Sequence, residues 1–158
     1  VWSFGNTVLL WRLERGLTQE ALALAAKVSR PNLSSIERGE REVNLSTLRS
    51  LAEALGTTPG TLVDGVSPYG PALKPSRAGL ERLAHAAVTG VQLKDPREKL
   101  LCDRLRAVSA PLRGDFSGLR RGGSQASAHA YLQLKAMASP ETISSLIARV
   151  VEKRGAAL

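Results

Sequence analysis

Apolar residues recur three and four positions apart along most of the chain, and no stretch alternates long enough to read as a strand. Phe4, Val8, Trp11 and Arg15 follow helical spacing, and Gly16 stops that run. Thr18 is placed to cap a second helix, Gln19 to Ala26, with Glu20 in its first turn. Ser29 caps a third, in which Pro31 falls among first-turn positions that have no helical hydrogen bond to lose, and Gly39 ends it. Ser46 is expected to cap a fourth helix, with Leu48, Leu51 and Leu55 facing inward and Gly56 at its end. A short fifth helix is expected from Thr58 and Pro59 to Gly65.

The segment 66–76 (VSPYGPALKPS) contains three prolines and a glycine and reads as a linker. Beyond it, Leu80, Leu83, Ala84, Ala87, Val88 and Val91 form one stripe. Asp95 and Pro96 open another helix, carrying Leu101, Leu105 and Val108, before Pro111 and the run RGDFSGLRRGG (113–123) interrupt the pattern. A helix over 124–138 follows. Ser139, Pro140 and Glu141 then supply a cap, a first-turn proline and a first-turn acid for a last helix. Its apolar set is Ile143, Leu146, Ile147, Val150 and Val151. The expectation is an all-α chain in two units, 1–65 and 77–158. The apolar stripes of the second suggest a dimerisation or effector role.

Composition narrows the function classes. Only 4% of the residues are aromatic, so Leu, Ala and Val must fill the core, which favours helices over sheets. A single cysteine, Cys102, allows neither an internal disulfide nor a cysteine-built metal site; it neighbours Leu101 and is expected to be a buried structural thiol. His85 and His129 stand alone, with no HExxH pattern, so no metal or cofactor is expected. No apolar run reaches the roughly 18 residues of a membrane span and no signal peptide is evident, so a cytoplasmic location is expected. Net charge is +8, but residues 1–66 hold seven basic and seven acidic residues; the fifteen basic and seven acidic residues beyond them hold the whole excess. Basic character alone therefore makes no case for nucleic-acid binding by the first half, although the second half could add attraction to phosphate.

The informative stretch is TQEALALAAKVSRPNLSSIERG, 18–39. Two helices crossing steeply through a tight turn need a small residue at the close approach, here Ala23, and an apolar lock, here Leu22, Ala26, Val28, Leu33 and Ile36. Arg30, Asn32, Ser34, Ser35 and Arg38 then remain on the outer face, which has about the width of a B-DNA major groove, roughly 12 Å.

These residues resemble the Xre or lambda-repressor-like helix-turn-helix family over about residues 4–65. FGNTVLLWRLERGLTQEALALAA is similar to its first two helices, VSRPNLSSIERGER to its recognition helix and following loop, and LSTLRSLAEALGTTPGTLV to its last two. The resemblance implies a five-helix domain that binds double-stranded DNA and regulates transcription. It places base reading at Arg30, Pro31, Asn32 and Ser35, with Arg30 suited to guanine and Asn32 to adenine. It implies phosphate contacts by Gln19, Ser34, Arg38 and Arg41, and a structural pair between Arg12 and Glu37. Two positions depart from the family pattern. Lys27 stands in the turn where the family usually has glycine, so an adjusted turn is expected, because a left-handed residue there costs about 1 kcal/mol. Leu9 and Leu10 stand where polar residues are common and are expected to face the second half or a second subunit.

The resulting expectation is a regulator without enzymatic activity, a repressor acting as a homodimer on a near-palindromic site. Its second half would take a protein partner or a small effector. One rival is an antitoxin-like, partner-binding protein with autoregulatory DNA binding. The other is an interaction module that has lost DNA binding.

Overall fold

The computed structural model describes residues 1–109 and 125–156. Pro111, the 113–123 run with Arg120 and Arg121, and Ser124 lie outside the described residues. Two compact units form, Val1–Pro68 and Tyr69–Leu158. Among the described residues there are no strands, and no helix is long and apolar enough to cross a membrane.

The first unit contains α1 (Phe4–Glu14), α2 (Gln19–Ala25), α3 (Arg30–Glu37), α4 (Leu45–Leu55) and α5 (Pro59–Val63). Each begins on a side chain that accepts a hydrogen bond from an otherwise orphaned backbone N–H: Ser3, Thr18, Ser29, Asn44 and Thr58 in turn. The fourth cap is Asn44 and not the expected Ser46; its Oδ1 accepts from the Thr47 N–H at 2.8 Å. Asparagine caps as well as serine, and starting there adds two residues to the helix while keeping Leu48, Leu51 and Leu55 buried. At the other end of α4, Gly56 is left-handed, and Arg15 donates to the carbonyls of Leu55 and Gly56 at 2.9 and 3.3 Å. A cation placed there satisfies carbonyls that the helix cannot.

Val8, Leu22, Ala23, Ala26, Leu33, Leu48, Leu51, Leu55 and Leu62 are buried in one core, with Phe4, Trp11, Leu17, Val28 and Val43 packed on it. Leu10 is also fully buried, and Leu9 is half-buried. Lys27 has φ 56°, so the turn between α2 and α3 keeps its left-handed residue despite the lysine side chain. Closing bonds hold it there: Lys27 N–H donates to Leu24 O at 3.2 Å and Val28 N–H to Ala23 O at 2.9 Å.

One buried polar group joins the first three helices. Glu37, in the last turn of α3, accepts from Arg12 of α1 through Nε at 2.5 Å and Nη2 at 3.1 Å, and from Gln19 Nε2 of α2 at 2.8 Å. Arg12 uses its Nη1 on the Leu17 carbonyl at 3.0 Å. Both charged side chains are almost wholly excluded from solvent. Beside this clamp, α1 passes so close to the end of α3 that a Cβ on Gly5 would lie 2.5 Å from Ile36 O and 2.7 Å from Glu37 O.

The second unit contains α6 (Arg77–Thr89), α7 (Pro96–Ser109), α8 (Gln125–Met137) and α9 (Pro140–Ala156). Within the segment read as a linker, Tyr69 is buried with its hydroxyl accepting from Gln133 Nε2 at 2.7 Å, and Leu73 N–H donates to Met137 O at 2.7 Å. Ser139 Oγ accepts from the Thr142 N–H at 3.2 Å at the start of α9. The stripe of α6 ends earlier than expected: Gly90 closes the helix at φ 78°, and Val91 lies beyond it, 53% exposed. The stripes do not remain unpaired. Leu83, Ala84, Ala87, Leu101, Leu105, Val108, Leu134, Ile143, Leu146 and Val150 are all buried, with α6 against α9 and α7 against α8. Cys102 is buried and donates to Leu83 O at 3.4 Å; burial pushes its thiol up to about 11.

Both tryptophans, Trp2 and Trp11, belong to the first unit, so tryptophan fluorescence reports its unfolding alone. Glu37→Ala leaves the Arg12 guanidinium buried without its carboxylate and is expected to cost about 3–5 kcal/mol. The double replacement Arg12→Met with Glu37→Met is expected to recover most of that loss. Equal losses for single and double variants in urea titrations would contradict the clamp's energetics. Lys27→Gly, removing left-handed strain, is expected to stabilise the same transition by about 1 kcal/mol.

Candidate nucleic-acid interface

The helix-turn-helix element is α2, the Ala26–Ser29 turn and α3. Leu33 and Ile36 are buried beneath α3, and Glu37 is clamped behind it, so the remaining side chains are directed outward. Arg30 and Pro31, in the first turn, are exposed. Asn32, Ser34 and Ser35 are half-buried, and Arg38 and Arg41 are exposed.

These side chains already bond to one another. Arg41 Nη1 donates to Asn32 Oδ1 at 3.0 Å. Arg38 donates to Ser34 Oγ at 2.5 Å, to Ser35 Oγ at 3.4 Å, and to both carboxylate oxygens of Glu40 at 2.9 and 2.8 Å. The Glu40 hydrogen bonds raise the Arg38 pKa, and Arg38 in turn holds the Glu40 carboxyl below the usual carboxylate range. Arg30 stands apart: among the described residues it has no hydrogen bond or ion pair. Gln19 occupies the first position of α2, but its amide is turned inward to Glu37.

The structure therefore gathers Asn32, Ser34, Ser35, Arg38 and Arg41 into one surface network with Arg30 and Pro31 at its leading edge. Gln19 and Arg12 belong to the clamp behind it. Chemically, the face offers one free guanidinium, an amide whose Nδ2 remains available, and two further guanidiniums held by neighbours that a phosphate could replace. Sequence reading missed two residues here. Glu40 places a carboxylate amid the cations, and its signal was its position two residues after Arg38 across the turn at Gly39. Gly5 is the second, and its signal is that a glycine inside a helix costs about 1 kcal/mol and so asks for a reason.

A family model described as "Helix-turn-helix" matches residues 9–62. The control protein C.BamHI of Bacillus amyloliquefaciens is 39% identical over 62 residues, which cover 39% of this chain and 76% of that one. The uncharacterized HTH-type transcriptional regulator y4dJ of Sinorhizobium fredii is 42% identical over 59 residues, covering 37% of this chain and 77% of that one. The HTH-type transcriptional regulator DdrOP3 of Deinococcus deserti is 48% identical over 59 residues, 37% of this chain; the match spans 46% of that protein's length. Helix order, the clamped third helix and these likenesses converge: the chain belongs to the Xre or lambda-repressor-like helix-turn-helix family of transcriptional regulators.

Proposed function

We propose that the chain is a sequence-specific regulator that binds double-stranded DNA through α3, acting in the cytoplasm as a homodimeric repressor. The observation that carries this reading is Arg30, exposed in the first turn of α3 with no partner among the described residues, on a helix whose far end is locked by Glu37. A free guanidinium on a rigid support can meet guanine O6 and N7 without first breaking a bond. Asn32 differs. To pair with adenine through both amide atoms it must release Arg41, which then becomes free for a phosphate oxygen. Arg38 must likewise exchange Glu40 for phosphate. Base reading at Asn32 and backbone anchoring by Arg41 are thereby coupled.

Geometry and size favour a dimer. One such domain buries little DNA surface, and two recognition helices about 34 Å apart would occupy successive major grooves of a near-palindromic site. Leu24, Leu45 and Val63 of the first unit are 82%, 61% and 59% exposed, and they supply apolar surface for self-association. Occupancy of such a site would then block transcription.

Selection of bound sequences from a random duplex pool is expected to enrich a motif with two related half-sites. Arg30→Ala is expected to lose preference at one position of each half-site, a change worth about 1–3 kcal/mol. No enrichment by the wild type would end the regulator reading, and an unchanged motif would end the assignment of Arg30. Glu40→Gln removes an anion and frees Arg38, so duplex affinity is expected to rise about fivefold, near the upper limit for one surface charge pair. Fluorescence anisotropy at low and high salt checks this, with the gain fading as salt rises.

A further inference from the structure

The first unit, in which the helix-turn-helix lies, has no net charge, whereas the second holds fifteen basic and seven acidic residues. Most described acids of the second unit are already engaged. Glu98 takes both terminal nitrogens of Arg82 at 2.8 Å, and Glu81 pairs with Arg149 at 2.7 Å and Lys153 at 3.1 Å. Asp103 pairs with Arg106 at 3.1 Å, and Asp95 Oδ1 accepts from the Arg97 N–H at 2.8 Å. Arginines, backbone and Lys153 thus occupy these carboxylates, and Lys74, Lys94 and Lys99 are left over. Lys74, Arg77, Lys94 and Lys99 are exposed, and among the described residues none of them has an ion pair or hydrogen bond.

These four cations gather at one end of the unit. Arg82 of α6 reaches Glu98 of α7, Leu83 meets Cys102, and Ala86 and Ala87 meet Arg106, so the two helices run in the same direction and start at the same end. The loop that carries Lys94 folds back along α6 beside Arg82 and His85. The Arg97 guanidinium donates to the Pro71 carbonyl, which holds the segment leading to Lys74 and Arg77 against the start of α7.

We propose that this lysine-rich end is a second DNA-contacting surface, binding duplex phosphates without regard to sequence. It would supply the electrostatic share of affinity that the neutral helix-turn-helix unit lacks. The proposal rests on the reading that the chain binds duplex DNA. It divides the work: the first unit reads bases, and the second provides counterion-releasing attraction. Unpaired lysines suit this, since each phosphate neutralised displaces condensed counterions and no acid has to be displaced first.

The test is the salt dependence of binding by the full chain to a labelled duplex of unselected sequence, compared with Lys74→Gln, Lys94→Gln, Lys99→Gln in one variant. These exposed substitutions are expected to leave the thermal midpoint unchanged. The slope of log affinity against log salt is expected to become shallower by about 1–3 units, since each phosphate contact contributes about 0.9. At high salt the two proteins are expected to converge. An unchanged slope overturns the proposal, as does tighter binding of single-stranded RNA or polyglutamate than of duplex at equal salt. Failure of the regulator reading looks different: random-pool selection enriches no motif, while the lysine-dependent slope on unselected duplex persists.

Discussion

A carboxylate at the end of a helix faces the negative pole of that helix and the unpaired carbonyls of its last turn, so Glu37 sits where its charge is least welcome. It is held there by a guanidinium from α1 and an amide from α2, and every one of these bonds reports on orientation. A hydrophobic residue in the same space could match the stability. It would not demand that three helices arrive with their donors aligned on two oxygen atoms. The close approach at Gly5 completes the constraint by bringing the α1 backbone against the last carbonyls of α3. With its rear end fixed twice over, α3 can leave its leading turn in solvent without losing its aim.

That arrangement explains why the outer face can afford to be polar and weakly charged. The arginines after α3 are quenched by Glu40 and Asn32, so the face is a set of exchangeable hydrogen bonds more than a positive field. Each exchange swaps one charge-assisted bond for another, which contributes little net attraction but requires matching geometry. Selectivity and raw attraction are therefore separable in this chain. Its charge is distributed accordingly, with a neutral first unit and the full excess of +8 in the second.

What the residue pattern revealed depended on how local each determinant was. The caps at Thr18, Ser29 and Thr58 act within three residues, so they could be read directly. Asn44 and Ser46 compete on equal local terms, and only the two extra residues available to the earlier start separate them. Lys27 violates a local preference, and the lock formed by Ala23, Leu33 and Ile36 overrides it, because an adjusted turn would displace the whole of α3. The interface residues follow the same division. Outward placement of Arg30 and Asn32 comes from periodicity, but the Glu40 and Arg41 contacts arise from a loop folding back, which no spacing encodes. Gly5 is legible only through the backbone it approaches.

The second unit shows how a pattern read helix by helix changes meaning once the helices are packed together. Its stripes are real, and read singly each looks like a surface awaiting a partner. Four amphipathic helices in one unit offer an internal alternative. The chain takes it, with α6 against α9 and α7 against α8 burying Leu83, Leu101, Leu105, Leu134, Leu146 and Val150, while Leu80, Val88, Ile147 and Val151 stay half-buried. Apolar surface spent in this way is not available to a second subunit, and among the described residues of this unit only Val91 and Tyr131 remain as large exposed hydrophobics. What the unit presents instead is charge most of whose described acidic counterparts are already engaged. A surface of that kind attracts polyanions over distances of a Debye length and exerts little pull on an apolar partner. The charge of the second unit thus fits the proposed long-range attraction to the same polymer that the first unit is shaped to enter.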